Sequence, residues 1–277
     1  MPQIGFLGPE GTFSQEALEI YLRDKKGYNQ VAFSNMREIL LAVEDGSIDE
    51  AFVPIENSIE GPINEILDLI AFDVDLKIKG EAIVTVRQNL MALNNTDINN
   101  IKVILSHPQG IGQCRKYIAT NFPNAEVRLL PSTAAAARLV SEGSEGMAAI
   151  GSEIAARIYG LDILKRDIQD NDSNATRFVA IGRNDAEKTG NDKTSIVFST
   201  EDKPGSLYRI LDIFNLWDIN LTRIESRPAK NKLGKYIFFV DMNGHRDDPD
   251  VRDALTMVKR KTSFFKLLGS YAVFEDK

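Results

Sequence analysis

Short apolar runs alternate with helical patterns through the first 182 residues of the chain. Strand-like runs lie at 4–7, 51–53, 103–105, 127–130 and 148–150. Helix-like stretches lie between them, at 14–22, 63–70 and 133–140. Strands and helices in alternation are typical of crossover units on largely parallel sheets. The pattern therefore predicts an α/β architecture for this part of the chain.

The segment 77–93 is a long, mostly extended passage, which we interpret as a crossing between two lobes. We predict one lobe from residues 1 to about 78 together with 161–182, and a second lobe from about 79 to 160. A chain that leaves a lobe and later returns to it makes a hinged cleft. Residues 1–182 are therefore expected to form a two-lobed domain.

A different pattern follows the polar linker 183–192 and predicts a second domain over residues 194–277. Its first helix has an apolar stripe at helical spacing, and its second begins with the capping pair Asp248 and Pro249. The order strand-helix-strand-strand-helix-strand predicts a ferredoxin-like βαββαβ sandwich. The predicted strands lie at 195–198, 219–224, 236–240 and within 264–274. The second and third of these form a hairpin around a turn at 231–234.

Composition limits the size, the partners and the compartment. A chain of 277 residues is long for one core, so two domains are expected. Its formal net charge of -7 gives no general electrostatic footprint for nucleic acid or acidic membranes. The N-terminus shows no secretory signal, and no apolar run approaches the roughly 18 residues of a membrane span. The single Cys114 fits a reducing compartment. We therefore expect a cytoplasmic protein.

Polar segments follow several of the predicted strands. Segment 8–14 lies between a strand and a helix, where backbone amides are placed to meet a carboxylate, although Thr12 and Gln15 also fit a capping box. Ser132 and Thr133 begin an alanine-rich helix, where a cap and a carboxylate site are the two interpretations.

Other polar residues carry the same ambiguity. Asn57 and Ser58 close a strand and precede a helix, so they fit either a ligand site or a helix start. Ser106 and His107 are adjacent in an extended segment and point to opposite faces, so they do not form a nucleophile–base pair. His107 is interpreted as structural or as facing a substrate.

The segment 174–178 (NATRF) joins a polar loop to an apolar strand, and its last three residues carry a family resemblance. Thr176, Arg177 and Phe178 resemble the catalytic signature of prephenate dehydratases. Further segments resemble motifs of that family, in family order: 8–14 (GPEGTFS), 54–58 (PIENS), 106–109 (SHPQ) and 132–136 (STAAA). Downstream, 225–228 (ESRP) resembles the signature of the regulatory ACT domain that these enzymes carry.

The resemblance implies a fold and a reaction. The fold is a two-lobed, periplasmic-binding-protein-like catalytic domain followed by an ACT domain. The reaction removes water and carbon dioxide from prephenate to give phenylpyruvate on the path to L-phenylalanine. Thr176 would hydrogen-bond or protonate the leaving hydroxyl. Arg177 would pair with a substrate carboxylate through its planar fork, so that Arg177→Lys mainly raises KM, and Phe178 would pack beside the ring.

The resemblance also favours the cleft for the remaining polar candidates. The residues expected to bind substrate are Thr12, Asn57, Ser58, Ser106, His107, Gln109, Ser132, Thr133 and Asn174. We expect no cofactor, because aromatisation of the ring drives the reaction and nucleotide-binding fingerprints are missing from the sequence. We also expect no metal, because His107, His245 and Cys114 are not at ligand spacing.

A regulatory site is implied for the second domain. Segment 205–207 resembles the ACT motif usually read as Gly-Ala-Leu, with Ser206 in place of the alanine. In the family this motif and the 225–228 motif bind phenylalanine between the ACT domains of two subunits. The alternative is a purely structural dimerisation domain. The implied effector residues are Gly205, Ser206, Leu207, Glu225, Ser226, Arg227 and Pro228.

Several alternatives stay open at the level of sequence. One alternative is an arogenate dehydratase, whose substrate differs from prephenate only by an amino group in place of the keto oxygen. Another is a non-catalytic amino-acid-binding protein, which would share the hinged lobes. We expect a homodimer or a dimer of dimers, formed through the ACT and catalytic domains, and a monofunctional enzyme. A chain ending near Arg183 is expected to keep some activity and to lose inhibition by phenylalanine.

Overall fold

The computed structural model describes residues 1–143, 146–229 and 236–274. The strands are β1 (Gln3–Leu7), β2 (Asn29–Phe33), β3 (Glu50–Asn57), β4 (Gly61–Pro62), β5 (Lys77–Thr85), β6 (Asn89–Ala92), β7 (Val103–Ser106), β8 (Glu126–Leu129), β9 (Met147–Gly151), β10 (Asp162–Lys165), β11 (Ala175–Gly182), β12 (Asp192–Ser199), β13 (Leu221–Pro228), β14 (Tyr236–Asn243) and β15 (Phe264–Ala272).

The helices are α1 (Phe13–Tyr21), α2 (Met36–Glu44), α3 (Asn64–Asp68), α4 (Pro108–Gln113), α5 (Arg115–Asn121), α6 (Thr133–Ser141), α7 (Glu153–Tyr159), α8 (Ser206–Leu216) and α9 (Pro249–Lys261). A π-helical turn (Leu69–Asp73) continues α3, and a 3-10 turn (Ile98–Asn100) precedes β7. The helix predicted at 63–70 is therefore an α-helix followed by a wider turn.

The first lobe is built on a mixed sheet in the order β2-β1-β3-β11-β5, with the short β4 paired to β3. β1 runs parallel to β2 and β3, whereas β11 is antiparallel to both β3 and β5. The second lobe has a sheet in the order β10-β6-β9-β7-β8, in which β7 is parallel to β8 and β9. The predicted α/β architecture is confirmed.

The lobe boundaries differ from the predicted ones. β5 belongs to the first sheet and β6 to the second, so the chain crosses at 86–88 rather than at about 78. β10 still pairs with β6 in the second sheet, so the return lies at 166–174 rather than at 161. The extended pattern of 77–93 contains two strands of different sheets, which periodicity alone does not separate.

The C-terminal domain has the predicted βαββαβ order, with an antiparallel sheet arranged β13-β14-β12-β15. Pro249 begins α9 as expected, but the Asp248 carboxylate accepts from the His245 amide at 2.7 Å rather than from a helix amide. The predicted final strand is one continuous β15. The turn predicted at 231–234 lies outside the described residues.

Both faces of the C-terminal sheet are covered. One face packs against α8 and α9 through Ile196, Phe198, Val240 and Met242. The opposite face joins the hydrophobic core of the first lobe through Val197, Ile237, Phe239, Leu268 and Tyr271. At Gly269 the sheet approaches β5 so closely that an added Cβ would lie 2.3 Å from the Ile78 carbonyl oxygen. The C-terminal domain is thus docked firmly onto the first lobe.

Among the described segments, no helix is long and apolar enough to cross a membrane.

Candidate active site

A cavity of about 670 Å³ lies between the two lobes, where strand ends and helix starts of both lobes meet. Most of the residues predicted from the sequence line it: Thr12, Asn57, His107, Gln109, Ser132, Thr133, Asn174, Thr176 and Phe178. Their elements come from distant parts of the chain, so the cleft is assembled only by the fold.

Thr176 lies at the start of β11 and is 9% exposed. Its Oγ1 accepts a hydrogen bond from Asn57 Nδ2 at 2.9 Å, and the same amide group donates to Asn174 Oδ1 at 2.8 Å. The other end of the amide, Asn57 Oδ1, accepts from the backbone amides of Ile59 and Glu60. Asn57 therefore orients Thr176 and Asn174, and its own polar atoms are already engaged.

This arrangement leaves a proton available at Thr176. The hydroxyl oxygen is an acceptor from Asn57, and within the described residues its own proton has no acceptor. A hydroxyl that accepts on one side donates on another, so the O–H group is free to donate to a ligand in the cleft. The geometry fits a hydrogen-bond donor to a leaving oxygen.

Phe178 follows two residues later on the same face of β11, as strand alternation requires. Its ring is stacked on Phe52 with a centroid distance of 5.3 Å and an interplanar angle of 5°. Only 3% of the residue is exposed. Phe178 thus forms part of the apolar floor of the cleft.

Two helices of nine residues direct their N-termini at the cleft, one from each lobe. Ser132 caps α6 by accepting from the Ala135 amide at 3.0 Å. Thr12 precedes α1, but its hydroxyl donates to the Leu7 carbonyl at 3.0 Å, and Gln15 accepts from the Gly11 amide instead of closing the expected capping box. Helix N-termini bind anions through unpaired amides and the helix dipole, so both are suited to carboxylates.

Arg177 is the main departure from the sequence-based expectation. It points away from the cleft, and its guanidinium donates to Glu81 at 2.8 Å, to Asp241 at 2.6 Å and to the Tyr271 hydroxyl at 2.8 Å. Strand alternation explains the direction, because a residue beside a cleft-facing Thr176 faces the opposite side of β11. A pairing of Arg177 with a substrate carboxylate is contradicted by this geometry.

Two further predicted residues lie beside the cleft without being among the described residues that line it. Ser106 is fully buried, donates to the Ile150 carbonyl at 2.8 Å and lies beneath Gly110. Ser58 Oγ donates to the Ser173 carbonyl at 2.9 Å and accepts from the Ala175 amide at 3.0 Å. Both shape the surrounding loops, which corrects their assignment to substrate contact.

Some lining residues were missed by sequence reasoning. Gln88 is 2% exposed and donates to Gln113 Oε1 at 2.9 Å, and its own Oε1 has no partner within the described segments. Gln88 lies in the short connection between β5 and β6, and Gln113 is the last residue of α4, four residues after the 106–109 motif. Neither position belongs to a segment that resembles a family motif. The Gln109 side chain donates to the Glu60 carboxylate and so bridges the two lobes across the cleft.

The charge of the cleft follows from this inventory. Among the described lining residues, Glu60 is the only formally charged side chain, and lysine and arginine are missing. A dianionic ligand would therefore depend on neutral hydroxyl, amide and backbone donors.

The expected effector residues lie in the C-terminal domain. Gly205 precedes α8 with φ +77, and Ser206 and Leu207 begin that helix. Glu225, Ser226, Arg227 and Pro228 lie on β13, at one edge of the sheet.

Arg227 makes a contact that the sequence did not predict. Its guanidinium bonds to the Asp68 carboxylate at 2.9 Å and donates to the Asn64 carbonyl at 2.6 Å. In this structure Arg227 therefore ties β13 to α3 of the first lobe, which differs from the role expected for it as an effector ligand.

The comparisons with known proteins agree with this arrangement. The family model described as "Prephenate dehydratase" matches residues 4–186, and the model described as "ACT domain" matches residues 194–256. A curated prephenate dehydratase from Methanocaldococcus jannaschii is 40% identical over 272 residues, covering 96% of this chain and 97% of the relative.

Two further matches extend over nearly the whole chain. A bifunctional chorismate mutase/prephenate dehydratase from Aquifex aeolicus is 40% identical over 269 residues, covering 97% of this chain and 73% of the relative. A crystal structure of a prephenate dehydratase from Arthrobacter aurescens, in complex with L-Phe, is 39% identical with a TM-score of 0.87. That match covers 98% of this chain and 90% of the solved one.

Proposed function

Because the chain belongs to the prephenate dehydratase family, we propose that it converts prephenate, with uptake of one proton, to phenylpyruvate, carbon dioxide and water. The observation that carries the proposal is the Thr176 hydroxyl, held by Asn57 with its proton free, on the wall of an interlobe cleft.

The reaction has one difficult leaving group. As the carboxylate on the ring leaves as carbon dioxide, the electrons of its C–C bond enter the ring and the ring C–O bond breaks. The departing oxygen takes up a proton and leaves as water. A hydrogen-bond donor at that oxygen accelerates the step by roughly 10²–10⁴-fold in general acid catalysis. Thr176 fills this role in our proposal, and Phe178 provides an apolar surface beside the ring that becomes aromatic.

The carboxylates of prephenate require donors at two places. The N-termini of α1 and α6 face the cleft from opposite lobes, and we assign one carboxylate to each. One of the two carboxylates departs as carbon dioxide. The site proposed for it has neutral donors, which hold an anion less tightly than a buried arginine would.

An assay with two substrates tests the proposed activity. Purified protein is incubated with prephenate or arogenate while phenylpyruvate and phenylalanine are measured. Formation of phenylpyruvate from prephenate supports the proposal, and turnover of arogenate alone assigns the protein to the neighbouring activity. Binding of an aromatic amino acid without turnover of either substrate would identify a binding protein.

Regulation by L-phenylalanine follows from the second domain. The chain carries an ACT domain, and the Arthrobacter aurescens relative was solved with L-Phe bound. We assign the effector site to the start of α8 and to β13. The effector inhibits only if it binds the less active arrangement more tightly than the active one. Calorimetric titration of L-phenylalanine, combined with initial rates, measures both quantities.

We also propose that the protein acts in the cytoplasm as at least a dimer. The C-terminal domain exposes large apolar side chains, among them Tyr208, Leu216, Ile224 and Tyr236. Such side chains are suited to a contact between two subunits. Sedimentation equilibrium of the wild-type protein distinguishes a monomer from a dimer or tetramer.

A further inference from the structure

A buried network of charged and hydroxyl groups lies where the C-terminal sheet meets the first lobe. Arg177 bonds to Glu81, Asp241 and Tyr271 at 2.6 to 2.8 Å. Glu81 also accepts from Lys193 at 2.8 Å. All three ion pairs are largely removed from solvent, with side-chain exposures of 12% or less.

The network is shared almost equally between the two domains. Arg177 on β11 and Glu81 on β5 are neighbours in the first lobe, whereas Lys193, Asp241 and Tyr271 come from three different strands of the C-terminal sheet. Each domain supplies one cation and one anion, and two of the three ion pairs, Arg177 with Asp241 and Lys193 with Glu81, join the two domains. Separation of the domains would break both of these pairs.

Hydroxyl groups fix the geometry of the network. Ser195 Oγ donates to Asp241 Oδ1 at 2.5 Å and shares a second bond with the Tyr271 hydroxyl at 2.6 Å. Burial raises the pKa of Asp241, but Arg177 and the Ser195 hydroxyl more than offset this, so the pKa lies below its ordinary value. Asp241 is therefore a fixed anion at neutral pH, with both oxygens occupied.

One peptide unit separates this network from the reacting side of the cleft. Arg177 follows Thr176 on β11, and the two side chains leave opposite faces of the strand. A second ion pair between the domains, Arg223 with Glu56 at 3.0 Å, lies next to Asn57, which holds the Thr176 hydroxyl. Arg177, which follows Thr176, and Glu56, which precedes Asn57, are thus both paired with residues of the C-terminal sheet.

We propose that Arg177 is a positioning residue through which Asp241 and Tyr271 of the C-terminal domain hold Thr176 in its reactive position. The inference rests on the proposed function, and it gives Arg177 a role that is separate from binding a carboxylate. It also provides a physical route by which the state of the C-terminal domain alters turnover. A displacement of about 1 Å at a reacting group can lower a rate by 10²-fold, so a small shift of β11 suffices.

The test compares full-length Asp241→Asn and Tyr271→Phe with wild type. Asp241→Asn removes the anion, and we expect kcat to fall about 10- to 100-fold with KM changed less than about 2-fold, because the loss arises after substrate binds. Tyr271→Phe keeps every buried charge and is expected to lower kcat about 3- to 10-fold. The second variant decides the matter if the first does not fold.

Val258→Ala is the matched control. Val258 is fully buried on α9 in the other core of the same domain, away from the network. It destabilises the C-terminal domain without touching Arg177, so we expect its kcat to stay within about 2-fold of wild type. If both network variants behave like Val258→Ala, the C-terminal domain does not position Thr176 and the inference is overturned.

Hydrogen exchange gives a readout that needs no activity. We expect faster exchange in 174–178 in Asp241→Asn and Tyr271→Phe, and wild-type exchange there in Val258→Ala. Absence of dehydratase activity in the wild-type protein would contradict the proposed function. Unchanged exchange in 174–178 in both network variants would contradict this inference and leave the proposed function intact.

Arg177→Lys separates the two roles of the arginine. A fall in kcat supports positioning, and a rise in KM alone would return Arg177 to carboxylate binding.

Discussion

At the scale of single residues, the chemistry depends on which hydrogen bonds are already taken. Thr176 accepts from Asn57, so its proton is the part left for a ligand. We expect Thr176→Val, which keeps the shape and removes the hydroxyl, to lower kcat by about 10²-fold or more with little change in KM. Thr176→Ser keeps the hydroxyl and serves as the control, with activity within about 10-fold of wild type. Steady-state kinetics of both variants decides the point, and turnover of Thr176→Val near wild type would remove Thr176 from the mechanism.

Asn57 allows a second test of the same geometry. Asn57→Asp replaces a donor by an acceptor of the same shape, so the carboxylate draws the Thr176 proton away from the cleft. We expect kcat to fall by about 10²-fold while the fold is retained. Asn35→Asp is the matched control, since Asn35 caps α2 by accepting from Glu38 and aspartate caps a helix equally well. Similar rates for the two variants would contradict the assigned role of Asn57.

Residues of the site differ in how far the sequence predicts them. Thr176, Thr12 and Ser132 were found because motifs mark strand ends and helix starts. The alternation that separates Ser106 from His107 also separates Thr176 from Arg177, so strand geometry alone places Arg177 on the face away from the cleft. No sequence rule identifies the partner of Arg177 on that face, because Asp241 lies 64 positions away in another domain.

At the scale of elements, α1 and α7 meet across the lobes and bury an acid. Burial, with the nearby Glu153 and Glu19, raises the pKa of Glu16 from 4.5 to about 7 despite Arg157. The Glu16 Oε2 atom is buried without a partner among the described residues. Between these two pH values the unfolded chain has lost the proton and the folded chain holds it. Stability therefore falls as pH rises from about 4.5 to 7, by about 3 kcal/mol in total.

We therefore expect Glu16→Gln to be more stable than wild type above pH 7 and similar to it near pH 4.5. Urea midpoints measured across this range test the expectation. Glu65→Gln, at an exposed position in the first turn of α3, is the control, and its effect should stay smaller at every pH above 7. A difference between wild type and Glu16→Gln that does not grow with pH would contradict the burial argument.

The start of α8 is a second element with a testable requirement. Gly205 has φ +77, and an added Cβ would have no heavy atom within 4 Å among the described neighbours. The expected effect of Gly205→Val is therefore backbone strain of about 1–2 kcal/mol rather than crowding. We expect it to shift the helix start and weaken inhibition by L-phenylalanine about 10-fold or more.

Gly27→Val is the control, matched in backbone angle and in open surroundings. Gly27 has φ +88 and equally open surroundings, but it lies in the first lobe. Its strain should leave the response to L-phenylalanine unchanged. Inhibition curves for both variants, normalised to their uninhibited rates, separate a local effect at the effector segment from general destabilisation. Equal inhibition curves would place the effector elsewhere.

At the scale of the whole molecule, the two domains are less separable than the sequence pattern suggested. The polar linker 183–192 predicts a domain boundary, and the expectation that a chain ending near Arg183 stays active depends on that boundary. The structure shows Val197, Ile237 and Phe239 inside the core of the first lobe. The sequence contains one sign of this burial. The runs 195–198 and 237–240 do not alternate between apolar and polar residues, whereas the strands of a sheet with one solvent-facing side would.

This shared core leads to a prediction built on two phenylalanines of one sheet. Phe239 and Phe198 are both essentially fully buried, but Phe239 faces the first lobe and Phe198 faces α8 and α9. Replacing either by alanine should destabilise its surroundings by about 3–5 kcal/mol. We expect Phe239→Ala to accelerate hydrogen exchange in α3 and β5 as well as in the C-terminal sheet, whereas Phe198→Ala accelerates exchange only in the C-terminal domain. Because the first lobe carries Thr176, Phe239→Ala should also lower kcat more than Phe198→Ala does. If both variants loosen the C-terminal domain alone and leave turnover intact, the domains fold independently, and a chain ending near Arg183 should then be an active enzyme.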